Sequence, residues 1–232
     1  MKNTIAIIPA RGGSKRIPKK NIIDFDSKPM ICWTIEAAIQ SKKFEHVIVS
    51  TDDHEVKRIS ENCGAEVPFM RKNNYDDFAP VSDVSIESLL NAEEFYGKKF
   101  DHIVQLMANC PNRNSEDIIN AIDNFDLHVY NFQISCFMYG FFNPWWATKL
   151  NNKSQPESIF PEVIGKRSQD LEDLYCPTGA IWIAKRDSLL KEKTFYGTDH
   201  VFHKMSWISA VDIDNFTDLE LALAARVIYK RK

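Results

Sequence analysis

Glycine is scarce in this sequence, eight in 232 residues. It is never spaced as GxGxxG or GxxxxGK[ST], so the dinucleotide fingerprint and the Walker-type phosphate loop are both absent. No apolar run approaches the roughly 20 residues that cross a bilayer. The first apolar stretch, IAIIPA, is too short for a secretory signal, and the basic loop comes after it. Five cysteines (Cys32, Cys63, Cys110, Cys136 and Cys176) make an odd count with no CxxC pair. The expectation is reduced thiols that mostly pack, in a cytoplasmic protein. Six histidines show no ligand spacing, and no Ser–His–Asp or Cys–His set stands out. There is no internal repeat and no low-complexity segment. A formal net charge of -3 argues against a general nucleic-acid partner.

What is present reads as alternation. TIAIIPA is a buried strand, and MICWTIEAAIQS is a helix with Ile31, Ile35, Ala38 and Ile39 on one face. HVIVST is a second strand, and the helix after it stops at Gly64. AEVPF is a short third strand, and MRKNNYDDFAP is a loop with Asp76 and Asp77 in solvent. A helix capped by Ser82 follows, then the strand HIVQLM and a helix capped by Asn114 or Ser115. Strand–helix alternation predicts an α/β fold: a mostly parallel central sheet with helices on both faces. After about residue 128 the rhythm breaks. YNFQISCFMYGFFNPWWATKL, which includes Phe141, suits an antiparallel insertion or a dimer arm. GAIWIAK and ISAVDI return to strand character, and a final helix opens on a Thr217/Glu220 capping box. A chain of this length reads as one domain, 1–232, with a dimerisation insertion at about 130–178.

The charge is concentrated. ARGGSKRIPKKNI, residues 10–22, holds five basic residues and no acid. A strand running into a glycine-containing loop points to phosphate binding at the sheet's carboxyl edge. Gly12 and Gly13 let backbone N–H groups approach an anion closely. Arg11, Lys15 and Lys20 can neutralise a polyphosphate. The plain alternative is a solvated basic loop. Near the end, VDID places Asp212 and Asp214 at i and i+2, on one face of a strand. Two carboxylates beside a polyphosphate suit Mg²⁺, which prefers one or two carboxylates plus phosphate oxygens. The alternative is that one of them caps the last helix.

IAIIPARGGSKRIPKKN resembles the signature of the CMP-sialic acid synthetases, the acylneuraminate cytidylyltransferase family, and VIVSTDD, GAEVPFMR, RSQDL, TGAIWI and VDID follow in family order. The resemblance covers nearly the whole chain. It implies a Rossmann-like nucleotidyltransferase fold and Mg²⁺-dependent transfer of CMP from CTP to a nine-carbon 2-keto sugar acid, releasing pyrophosphate. It implies that Arg11 and Lys15, with Gly12, Gly13 and Ser14, hold the triphosphate. Lys20 and Asn21 lie near the phosphates and nucleotide, with Asn21 equally able to cap a turn. Arg71 and Ser82 recognise the nucleotide, although Ser82 is also a natural helix cap. Asp212 and Asp214 take the metal. Arg167 and Gln169 approach the sugar acid, often from the partner subunit, or else Arg167 is a surface residue. A homodimer with shared sites is the implied assembly.

The chain departs from the family's QPTSPLR: it reads MANCPNR at 107–113, with Met107 where a Gln usually contacts the sugar. Gln105, two residues earlier, is the candidate substitute. Thr178, in CPTG, stands where an Asn is common. Both changes fall on the sugar side, so the acceptor is expected to be a bacterial relative of neuraminic acid, of the legionaminic, pseudaminic or deaminated type. A CMP-Kdo synthetase-like enzyme and a non-catalytic nucleotide-binding protein are the competing readings.

Overall fold

The computed structural model describes residues 3–73, 80–140 and 142–230. Asp76, Asp77 and Phe141 lie outside the described residues. In chain order the elements are β1 (Thr4–Pro9), β2 (Asp24–Phe25), β3 (Lys28–Pro29), α1 (Met30–Ser41), β4 (His46–Ser50), α2 (His54–Asn62), α3 (Val81–Tyr96), β5 (His102–Gln105) and α4 (Ser115–His128). They continue with β6 (Phe132–Met138), β7 (Thr148–Leu150), β8 (Pro156–Ser158), β9 (Tyr175–Lys185), α5 (Arg186–Glu192), β10 (Val201–Lys204), α6 (Trp207–Ala210) and α7 (Phe216–Lys230).

Six strands form one sheet in the order β10-β6-β9-β5-β1-β4. β1 pairs in parallel with β4 and β5, and β10 with β6, while β9 runs antiparallel to both β5 and β6. The apolar runs are continuous because both faces are covered. Ala6 and Ile8 of β1, with Val47, Val49 and Val104, pack against Ile31, Ile35 and Ala38 of α1 and Ile118 and Ile122 of α4. Ile5 and Ile7, with Ile48 and Ile103, pack on the other face against Ile86 and Leu89 of α3. The architecture is the α/β one expected, with a mostly parallel sheet. Among the described residues no helix is long and apolar enough to cross a membrane.

Several expectations are corrected. AEVPF forms only an isolated bridge, Ile48 to Glu66, rather than a strand. Ile39 is 42% exposed, at the last turn of α1 beside Gly64. ISAVDI is not a strand: Trp207–Ala210 is a short helix capped by Ser206, and residues 211–215 follow as a loop. The aromatic stretch divides. Its first part, β6, belongs to the main sheet, and the β7–β8 hairpin follows it. Cys32 and Cys63 are joined as a disulfide, with Cα atoms 5.6 Å apart where α1 meets the end of α2, so the expectation of five thiols fails for these two. A separation of 31 residues carries no trace of that contact in sequence.

Candidate active site

The chain leaves β1 toward β4 on one side, then crosses back to β5 on the other. Strand order therefore reverses at β1, and an open α/β sheet leaves its crevice outside the carboxyl ends of such strands. Four segments meet there.

The first is the basic loop. The Gly12 N–H donates to Asp52 Oδ1 at 2.9 Å, and a Cβ at residue 12 would lie 2.6 Å from Asp53 Oδ2. Glycine is needed at position 12 for close approach to the end of β4, and its amide is engaged by Asp52 rather than turned outward. Gly13 has no atom within 4 Å of where its Cβ would be, so it is the glycine facing open space. Asn21 is buried, and its Nδ2 donates to Arg11 O at 2.9 Å, a brace that holds the loop. Lys20 Nζ donates to Asp214 Oδ1 at 2.7 Å, and Arg16 Nη2 lies 3.0 Å from Asp214 Oδ2. Lys15 is exposed, and the Ser14 N–H turns back onto Gly12 O.

The second segment follows β4. Asp53 caps α2 through the N–H groups of Glu55 and Val56. Asp52 lies 3.6 Å from Arg71 Nη2. Arg71 is buried, and its Nε and Nη2 make no hydrogen bond. Burial pushes its pKa down, while the Asp52 charge opposes this. A buried guanidinium with two unmet donors fits an acceptor-bearing ligand.

The third is the loop after β5. Arg113 is fully buried and donates through Nη1 to the carbonyls of Met107 and Ala180. Burial holds its pKa down to about 10 and pushes the Cys110 thiol up to about 12. Asn109 reaches across to the fourth segment, residues 211–215. There the Asp218 carboxylate accepts from the N–H groups of Asp214 and Asn215, and Asn215 Oδ1 accepts from the Asp218 N–H. This is the capping box of α7, so the expected Thr217/Glu220 box is corrected: the helix already begins at Phe216.

Asp212 and Asp214 share this loop rather than a strand face. Burial, then the Asp214 charge, pushes Asp212 up, although much of the residue is open to solvent. Burial also pushes on Asp214, but Lys20 and Arg16 outweigh it and hold its carboxyl below the usual range. Among the described residues no three or more His, Cys, Asp or Glu side chains group as metal ligands. The aspartate pair is the set that could take a divalent cation, in company with ligand oxygens and water.

The remaining candidates sit further out. Ser82 is not the cap of α3, because Pro80 precedes the helix there; the Ser82 hydroxyl instead accepts weakly from the Phe195 N–H at 3.4 Å. Gln105 is fully buried, and its Oε1 accepts from Ser85 Oγ at 2.7 Å. Its Nε2 is buried and lacks a partner. Met107 packs its Cγ 2.8 Å from where a Cβ on Gly179 would be. Thr178 Oγ1 donates to Ala210 O at 3.0 Å and ties β9 to the turn before Asp212. Arg167 and Gln169 are not drawn in. Both are on an exposed turn, with Arg167 71% exposed and paired with Asp170 at 2.8 Å. Sequence reasoning missed Arg16, Asp52 and Asn109. The acid pair following a buried strand was the available signal for Asp52; nothing in the spacing marked Asn109.

Residues 5–223 match the family described as cytidylyltransferase. The pseudaminic acid cytidylyltransferase of Campylobacter jejuni is 32% identical over 232 residues, 99% of this chain and 97% of that protein. The N-acylneuraminate cytidylyltransferase of Escherichia coli is 33% identical over 94% of this chain, which matches 51% of that longer protein. Among solved structures, a CMP:2-keto-3-deoxy-manno-octonic acid synthetase complexed with CTP superposes with a TM-score of 0.70 at 19% identity. That match covers 98% of this chain and 100% of that one, a likeness of fold.

Proposed function

The chain belongs to the cytidylyltransferase family, and from that premise we propose that it transfers CMP from CTP to the anomeric hydroxyl of a nine-carbon 2-keto sugar acid, releasing pyrophosphate. One observation carries the reading: the cationic loop after β1 meets the Asp214 carboxylate, two residues from Asp212, through Lys20 and Arg16. A polyphosphate offers these cations a stronger set of anions than one carboxylate, and their move to it frees Asp214. Asp212 and Asp214 would then hold Mg²⁺. The ion, when bound, supplies Lewis-acid stabilisation of phosphate charge. Arg11, Lys15 and Lys20 neutralise charge on the α-phosphate and on the departing pyrophosphate. Arg71, with its two unmet donors, takes the nucleotide. The sugar hydroxyl is the nucleophile, so no nucleophilic side chain is required and positioning dominates.

On the acceptor side, Gln105 is held inside by Ser85, and Met107 stands nearer the opening. Thr178 spends its hydroxyl on Ala210 O. Met107 in place of a glutamine, with the Thr178 hydroxyl already engaged, favours an N-acylated, less hydroxylated acid of the pseudaminic or legionaminic type. The demand for CTP supports action in the cytoplasm. A homodimer with Arg167 lent across the interface completes the proposal.

The test is pyrophosphate release from CTP with a panel of 2-keto acids. Release is expected with nine-carbon N-acylated acids, most with the 9-deoxy members. A preference for the eight-carbon Kdo would move the chain to the competing reading, and no release with any acid would reject the activity.

A further inference from the structure

Asn109 is 4% exposed and lies on the loop after β5, far in sequence from the carboxylates. It grips the residue between them from both sides. The Ile213 N–H donates to Asn109 O at 2.9 Å, and Asn109 Nδ2 donates to Ile213 O at 3.1 Å. The same Nδ2 reaches Asp214 Oδ1 at 3.5 Å, a long and weak contact. With both acceptors on the Nδ2 side, the amide orientation is fixed. Its Oδ1 is turned away and is buried without a partner. The fold thus accepts an unmet acceptor to aim this one donor.

The other contacts shown to the Asp214 carboxylate, among the described residues, come from Lys20 and Arg16. Both belong to the basic loop after β1, and in the proposed reaction both would turn to the polyphosphate. Asn109 is neutral and anchored in the core of the loop beneath, so it has no reason to leave. We propose that Asn109 is a positioning residue: it fixes the backbone between Asp212 and Asp214 and keeps the Asp214 carboxylate aimed once the loop cations have moved to the nucleotide. The inference rests on the aspartate pair taking a divalent cation, and it adds what orients that pair.

Asn112 supplies the control. It is on the same loop, equally buried, and its Nδ2 donates to Ala222 O of α7 at 2.9 Å, yet it touches neither carboxylate. The experiment measures Mn²⁺ binding by electron paramagnetic resonance in the presence of CTP, with kcat, KM for CTP and Tm, for wild type, Asn109→Leu, Asn112→Leu and Asp214→Asn. Leucine keeps the shape of asparagine and removes the orphaned acceptor with the donor, so Asn109→Leu is expected to fold. It should bind Mn²⁺ about tenfold more weakly and lose kcat with little change in KM, whereas Asn112→Leu should lower Tm and leave Mn²⁺ affinity within about twofold. Wild-type affinity in folded Asn109→Leu overturns the inference alone, and so does equal weakening in Asn112→Leu. Should Asn109→Leu not fold, Asn109→Ser is measured in its place under the same criteria. Asp214→Asn that binds Mn²⁺ like wild type overturns the metal reading and the inference with it.

Discussion

Asp212 and Asp214 are two positions apart in one loop, yet their surroundings push them in opposite directions. Lys20 and Arg16 hold the Asp214 carboxyl below the usual range despite its burial. Its ionised form therefore contributes stability above the unfolded-state pKa, and that contribution is lost as pH falls through the lower folded value. Asp212 is raised by burial and by its neighbour's charge. At neutral pH its ionisation opposes folding. The penalty shrinks as pH falls through the raised folded pKa and is gone below the unfolded one. Thermal unfolding of the two amide variants should separate these effects. Asp212→Asn should raise Tm at about pH 7 while turnover collapses, with the gain fading on acidification toward the ordinary Asp pKa of about 3.9. Asp214→Asn should lower Tm at neutral pH, because two cations then face an amide. An Asp212→Asn enzyme less stable than wild type at neutral pH would contradict the assignment of that shift.

At the scale of elements, the loop after β1 and the start of α2 are built against each other. Asp52 takes the Gly12 amide, while Asp53 caps α2 and fills the space a side chain at position 12 would need. Gly12→Ala must displace the cap or the loop, so a loss of roughly 1–3 kcal/mol in denaturant unfolding is expected, together with weaker CTP binding. Gly13→Ala meets nothing within 4 Å and should unfold like wild type. Equal stability of the two variants would show that the loop is not seated on α2. The same contrast explains what was legible in sequence. Periodicity gave α1 to its exact ends, because its buried stripe is long and uninterrupted. The basic loop and the VDID carboxylates stood out by local charge density. Local pattern could not choose Pro80 over Ser82 as the start of α3, since both stand beside the first turn. ISAVDI has strand composition, but Ser206 caps it into a helical turn. Asn109, Arg16 and the Cys32–Cys63 contact are settled by segments meeting across the fold, and no single stretch of sequence carries that meeting.

For the whole molecule, an exposed apolar surface lies next to the site. A cleft of about 470 Å³ runs from Asp212 past Phe137, Tyr139, Trp207 and Leu221 to Phe142, which is 78% exposed. A lone chain seldom leaves so many large apolar side chains together in water. The β7–β8 hairpin and the turn carrying Arg167 follow in the chain, between β6 and β9. Among the described residues Arg167 pairs locally with Asp170, an exposed contact worth little that a substrate carboxylate could replace. In the proposed homodimer a second copy covers the aromatic cleft and lends that guanidinium to the neighbouring site. Light scattering should therefore report a dimer at working concentration, and a monomer would reject the arrangement. Lys15→Ala and Arg167→Ala proteins should each be nearly inactive. After verified subunit exchange, mixing them should restore up to about a quarter of wild-type turnover. Half of the molecules are then mixed dimers, and each has one site with its own Lys15 and the partner's Arg167. A dimer that exchanges subunits yet shows no such recovery would return Arg167 to its own subunit's site or to the surface.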